Sequence, residues 1–116
     1  INEIFENTAI AVTSLMLDPL KIGNKIVKEF FIEGNDLSSL LINWITELLI
    51  IRDSEGILFS SFDVNVSSDG RSLNAKNYGD YFMGINLEMD IKAITYSLFK
   101  LEKLDGHYYL QFVLDI

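Results

Sequence analysis

Carboxylates are the only reactive groups that this chain carries in number. Asp18, Asp36, Asp53, Glu55, Asp63, Asp80, Glu88, Asp90, Glu102, Asp105 and Asp115 fall near expected helix ends, turns and strand ends. Hard divalent cations such as calcium and magnesium take oxygen ligands, so a few converging carboxylates would make a metal site. Two held close together with separated pKa values would instead serve as the acid and base of a hydrolase. No linear calcium-loop spacing is present, and nothing in the sequence marks such a pair. Asp115 stands out because Ile116 follows it at once. A free carboxylate on Ile116 would place three oxygen-bearing groups within two residues. Two readings of Asp115 are open here: a cation ligand, and a solvated strand end.

Other chemistries lack their parts. His107 is the only histidine and there is no cysteine, so neither a catalytic triad, a multi-histidine zinc site nor a thiolate site can be assembled. Gly79, Gly84 and Gly106 do not form a phosphate-binding pattern between a strand and a helix and read as turn formers. Lys92 lies in the run Met89-Asp90-Ile91-Lys92-Ala93-Ile94-Thr95-Tyr96, which reads as a strand. Facing inward, its ammonium would be tuned by desolvation or pair with a carboxylate; facing outward, it is an ordinary solvated lysine.

The elements that must position these groups follow from periodicity. Ile1, Ile4, Phe5, Thr8, Ala9, Val12, Leu15 and Met16 recur at helical spacing, and Asp18-Pro19 ends the run. No N-cap residue precedes this helix, as expected of a chain whose earlier residues are missing. Ile26 to Glu33 is rich in β-branched and aromatic residues and predicts a strand closed by Gly34-Asn35. Asn35 or Asp36 can cap a second helix with the apolar stripe Leu37, Leu40, Leu41, Trp44, Ile45, Leu48 and Leu49. Arg52-Asp53-Ser54-Glu55-Gly56 stops it. Ile57 to Val66, the turn signal Asp69-Gly70 and Leu73 to Tyr78 make a hairpin; Leu87 to Leu101, Asp105-Gly106 and Tyr108 to Ile116 make a second. Helices segregated from antiparallel strands predict one α+β domain over 1–116, with two helices on one face of a curved, mostly antiparallel sheet.

Composition agrees with a single core. The chain has 116 residues, 49% of them hydrophobic, a length that suits one domain. Its longest apolar stretch, Leu37 to Ile51, is interrupted by polar residues and falls short of the roughly 20 residues that span a bilayer. A cytoplasmic protein is the simplest expectation. With 17 acidic and 9 basic residues the formal charge is −8, which repels phosphate backbones and directs the chain toward cations or basic protein surfaces rather than nucleic acid.

Five segments, in order and at similar spacing, resemble the archease family. They are Asn2 to Ala9, Leu40 to Leu49, Glu55 to Phe59, Ile91-Lys92-Ala93-Ile94-Thr95-Tyr96, and Gln111-Phe112-Val113-Leu114-Asp115-Ile116. The Lys-Ala-Ile-Thr-Tyr run and the Phe-Val-Leu-Asp-Ile ending are the specific parts. The resemblance implies an α+β fold and a non-catalytic accessory of an RtcB-type RNA ligase, which promotes ligase guanylylation and turnover in tRNA splicing and RNA repair. It also implies a divalent cation, typically calcium, held by an early aspartate with the penultimate aspartate and last residue; the latter two correspond to Asp115 and Ile116. Lys92 and Tyr96 are the corresponding candidates for partner binding. The family's early His-Thr-Ala-Asp stretch is not among these residues, Ser97 stands where histidine is usual, Asn43 where an acidic residue is common, and Gly84-Ile85 near another usual histidine. A stand-alone, chaperone-like binding module is the competing expectation.

Overall fold

A computed structural model describes residues 1–116. Helix α1 (Asn2–Met16) buries Phe5, Thr8, Ala9, Val12, Thr13 and Met16, the face set by its periodicity, and Ile1 at its start makes no side-chain cap. The helix stops at Leu17, and Asp18 then caps a single 3-10 turn, Pro19–Lys21, its carboxylate accepting from the Leu20 amide at 3.0 Å. Strand β1 (Ile26–Glu33) leads into α2 (Leu37–Glu55). The start of α2 is secured by a reciprocal cap: the Asp36 carboxylate accepts from the Ser39 amide at 2.8 Å, and the Ser39 hydroxyl accepts from the Asp36 amide at 3.1 Å.

The stop of α2 falls at the last residue of the segment that the sequence marks for it. Arg52 to Glu55 continue the helix, and only Gly56, at φ 69°, ends it in the left-handed conformation. Arg52 stays helical because its side chain is buried, with Nε on Asp53 at 2.8 Å and Nη1 against the Met16 sulfur at 3.2 Å.

Strands β2 (Ile57–Val66) and β3 (Ser72–Tyr81) form the first hairpin, and β1 joins its far side, giving the antiparallel order β1-β3-β2. β3 runs on past Tyr78, and Gly79 is not a turn former. It lies inside the strand opposite an irregularity at Ser60, where a Cβ would overlap the Leu58 carbonyl and crowd Phe59. The outer edge of β2 is covered by α1: Glu6 accepts from the Val64 amide at 2.9 Å and Asn2 from the Val66 amide at 2.8 Å.

Strands β4 (Ala93–Leu104) and β5 (His107–Asp115) form a separate two-stranded ribbon, so the antiparallel strands make two sheets rather than one curved sheet. The α+β architecture with two helices stands. Leu87 to Lys92, expected as the start of a strand, precedes β4 and meets β5 only at its end, where the Lys92 amide donates to the Asp115 carbonyl; Ile91 beside it is fully buried in the core. The segment's few anchors include the Glu88 amide on the Met16 carbonyl at 2.8 Å. Between helices and sheets, Phe30, Trp44, Phe59 and Phe62 meet edge to face, with ring centroids 5.8 to 6.3 Å apart. No helix is long and apolar enough to cross a membrane.

Candidate functional site

The ribbon β4–β5 brings the sequence candidates to one region. Ala93 pairs with Asp115, and the Lys92 amide donates to the Asp115 carbonyl at 2.7 Å, which puts Lys92 across the ladder from Ile116. The Lys92, Asp115 and Ile116 side chains are all exposed. Lys92 therefore has the solvated setting rather than the buried one. Farther along β4, the Thr95 hydroxyl donates to the Val113 carbonyl at 3.2 Å, and Tyr96 is exposed.

Beyond Thr95 the ladder breaks. Thr95 faces Val113 but the next pair is Lys100 with Gln111, so Tyr96, Ser97, Leu98 and Phe99 bulge opposite Phe112 alone. Leu98 adopts φ 54°, unusual for a residue with a Cβ. The Gln111 side-chain amide donates to the Leu98 carbonyl at 2.8 Å, and the Tyr96 ring leans on that of Phe99 at 6.0 Å. Sequence reasoning reached Tyr96 but not Leu98 or Gln111. No glycine or asparagine flags the left-handed residue, and the run reads as continuous strand.

His107 follows the two-residue turn Asp105-Gly106, both with positive φ, and is exposed. It is a turn-flanking residue. Trp44 is fully buried and belongs to the core.

Three titratable groups are displaced by their surroundings, and each is structural. The Ser39 amide and hydroxyl hold the Asp36 carboxyl below its ordinary range, the Ser67 hydroxyl and Arg71 amide do the same to Asp69, and the hydrogen bond to Glu55 at 2.8 Å raises the Lys28 ammonium. These are a helix cap, a turn and a surface ion pair, not an acid and base facing one substrate.

The donor set can be tested against a divalent cation. Nowhere do three His, Asp or Glu side chains converge, whereas a calcium ion takes roughly six to eight oxygens. Asp115 and its neighbour Ile116 would thus supply only part of a coordination sphere.

The sequence model described as the Archease protein family (MTH1598/TM1083) matches residues 1–116. The chain belongs to the archease family. Archease of Sulfurisphaera tokodaii is 42% identical over 118 residues, covering 100% of this chain and 85% of the relative. Archease of Pyrococcus abyssi is 41% identical over 121 residues, with 100% and 85% covered. The solution structure of Methanobacterium thermoautotrophicum protein 1598 superimposes with a TM-score of 0.82 at 31% identity, covering 99% of this chain and 84% of that one. The archease fold is therefore the frame on which the β4–β5 ribbon displays Lys92, Tyr96 and Asp115.

Proposed function

We propose that this archease-family protein is a non-catalytic accessory of an RtcB-type RNA ligase, promoting guanylylation and repeated turnover of that enzyme in tRNA splicing and RNA repair. Family membership over the whole chain carries the reading. The two most specific segments of the resemblance support it, because they are strand partners: Ala93-Ile94-Thr95 pairs with Val113-Leu114-Asp115. The charge of −8 suits a partner whose phosphate-binding surface is basic. A divalent cation at Asp115 and Ile116 belongs to the same proposal. When bound it would supply positive charge for oxygen ligands, and this chain's own part is to hold the Asp115 backbone in place through the Lys92 amide.

The test is a ligation assay with a cognate ligase, its metal and RNA ends, with and without substoichiometric amounts of this protein. Guanylylation or turnover should rise. Unchanged rates with a competent ligase would overturn the reading and favour a binding module that works without the ligase.

A further inference from the structure

The β4–β5 ribbon differs from the rest of the molecule in charge. Residues 92–115 hold three lysines and three carboxylates, so the whole formal charge of −8 resides elsewhere. This neutral stretch also exposes large side chains: Leu98 is 73% exposed, and Tyr96, Leu104 and Tyr109 are each more than half exposed. Charged residues are as frequent here as in the rest of the chain but balanced in sign, and the exposed tyrosines are of the aromatic kind enriched at interface centres.

The bulge lies within this surface, and Leu98 is its least explicable residue on folding grounds alone. A left-handed backbone disfavours any residue with a Cβ, and glycine or asparagine would occupy it more easily. Leucine gains nothing there from burial. Yet the conformation is held, by the Gln111 amide on the Leu98 carbonyl at 2.8 Å and by Tyr96 resting on half-buried Phe99. A strained, exposed apolar tip with its own support is preorganised, which lowers the ordering cost of docking.

We propose that Leu98, displayed with Tyr96 by this bulge, is the anchor that this protein inserts into an apolar pocket of its RNA ligase, and that Gln111 is its positioning residue. The proposal rests on the ligase-accessory reading and names the surface it uses. Charge selects the occupant. An enzyme that holds RNA phosphates is basic around them, so it attracts and orients the acidic body while the neutral ribbon makes the close contact. A second copy of this chain would bring two bodies of like charge together.

Activation of the ligase is measured against protein concentration for the parent, Leu98→Asn, Gln111→Met and the double variant, with melting temperatures alongside. Asparagine tolerates the left-handed region, so Leu98→Asn removes the apolar group without moving the backbone. The concentration for half-maximal activation should rise roughly tenfold or more for a lost anchor, with the maximal effect retained and the melting temperature unchanged or higher. Gln111→Met should weaken activation in the parent but add nothing in the Leu98→Asn background, whereas a purely structural glutamine would cost the same in both. An unchanged half-maximal concentration for Leu98→Asn overturns the anchor and leaves the accessory role standing. A parent that never activates the ligase overturns both. A stable dimer dissociated by Leu98→Asn would assign the bulge to a second copy and likewise overturn the proposal.

Discussion

The indole Nε1 of Trp44 donates to the carbonyl of Phe5 at 3.1 Å, and both side chains are fully buried. This bond fastens the middle of α2 to the first turns of α1, and the same indole meets Phe30 and Phe62 edge to face. Trp44→Phe keeps an aromatic ring but removes the donor and leaves a void. The expected loss is about 2–3 kcal/mol, the sum of a neutral hydrogen bond and incomplete filling of the core. Thermal unfolding checks it, and a change near zero would show that the two helices are held together mainly by their other contacts.

Asn77 makes the opposite prediction. It is fully buried on the core face of β3, and neither its amide nitrogen nor its amide oxygen has a partner. A buried amide without hydrogen bonds is costly, and an apolar residue with a high strand propensity removes that cost. Asn77→Val should raise stability by about 1 kcal/mol, visible as a higher melting temperature. A loss instead would mean that Asn77 has a role in packing or hydration that outweighs its unmet hydrogen bonds.

Asn77 also shows where sequence reading reaches its limit. Alternation places Leu73, Ala75, Asn77 and Gly79 on one face of β3, but polarity assigns Asn77 to the outside and glycine to a turn. The close approach that requires Gly79 is made by Leu58 and Phe59, residues remote in sequence. Local signals fared better. Asp36, Gly56 and the Asp69-Gly70 and Asp105-Gly106 turns act where the sequence places them, because caps and turns are settled within a few residues. The juxtaposition of Lys92 with Asp115 depends on the register of the second hairpin, which turn signals and periodicity do not fix. Neither of these marks the bulge at Leu98.

The cap at Asp36 predicts a pH dependence. Its carboxyl is held below the ordinary value first by the Ser39 amide and then by the Ser39 hydroxyl. A depressed folded-state pKa contributes stability that is present above the unfolded value and lost as the pH falls through the folded one. Asp36→Asn should therefore melt below the parent at neutral pH. That gap should narrow as the pH drops through the ordinary aspartate range and close beneath the depressed value. A gap independent of pH would show that charge on Asp36 contributes nothing to the cap.

Lys92 separates partner binding from folding. Its side chain is exposed while its backbone amide is used by Asp115, so Lys92→Ala leaves the ladder intact and should cost about 0.5 kcal/mol or less. On the proposed function, ligase activation should fall well beyond that change in stability. Equal activation by mutant and parent would make Lys92 a surface lysine and nothing more.

Metal affinity is the most demanding expectation, because this chain offers a cation so little. Asp115 is exposed, Ile116 adjoins it, and no third acidic or histidine side chain converges with others into a site. Affinity for calcium falls as charged oxygens are removed and as the remaining ones are held less rigidly, so binding should sit at about millimolar, the weak end of oxygen-ligand sites. Asp115→Asn keeps the shape and the backbone bond to Lys92 while removing a charge, and it should weaken binding further without lowering the melting temperature. Magnesium should compete poorly, since it demands near-octahedral geometry that two adjacent flexible groups do not supply. Calorimetric titration of parent and variant with calcium decides the matter. Equal heats and midpoints for the two proteins, or tight binding by the asparagine form, would place any cation away from Asp115.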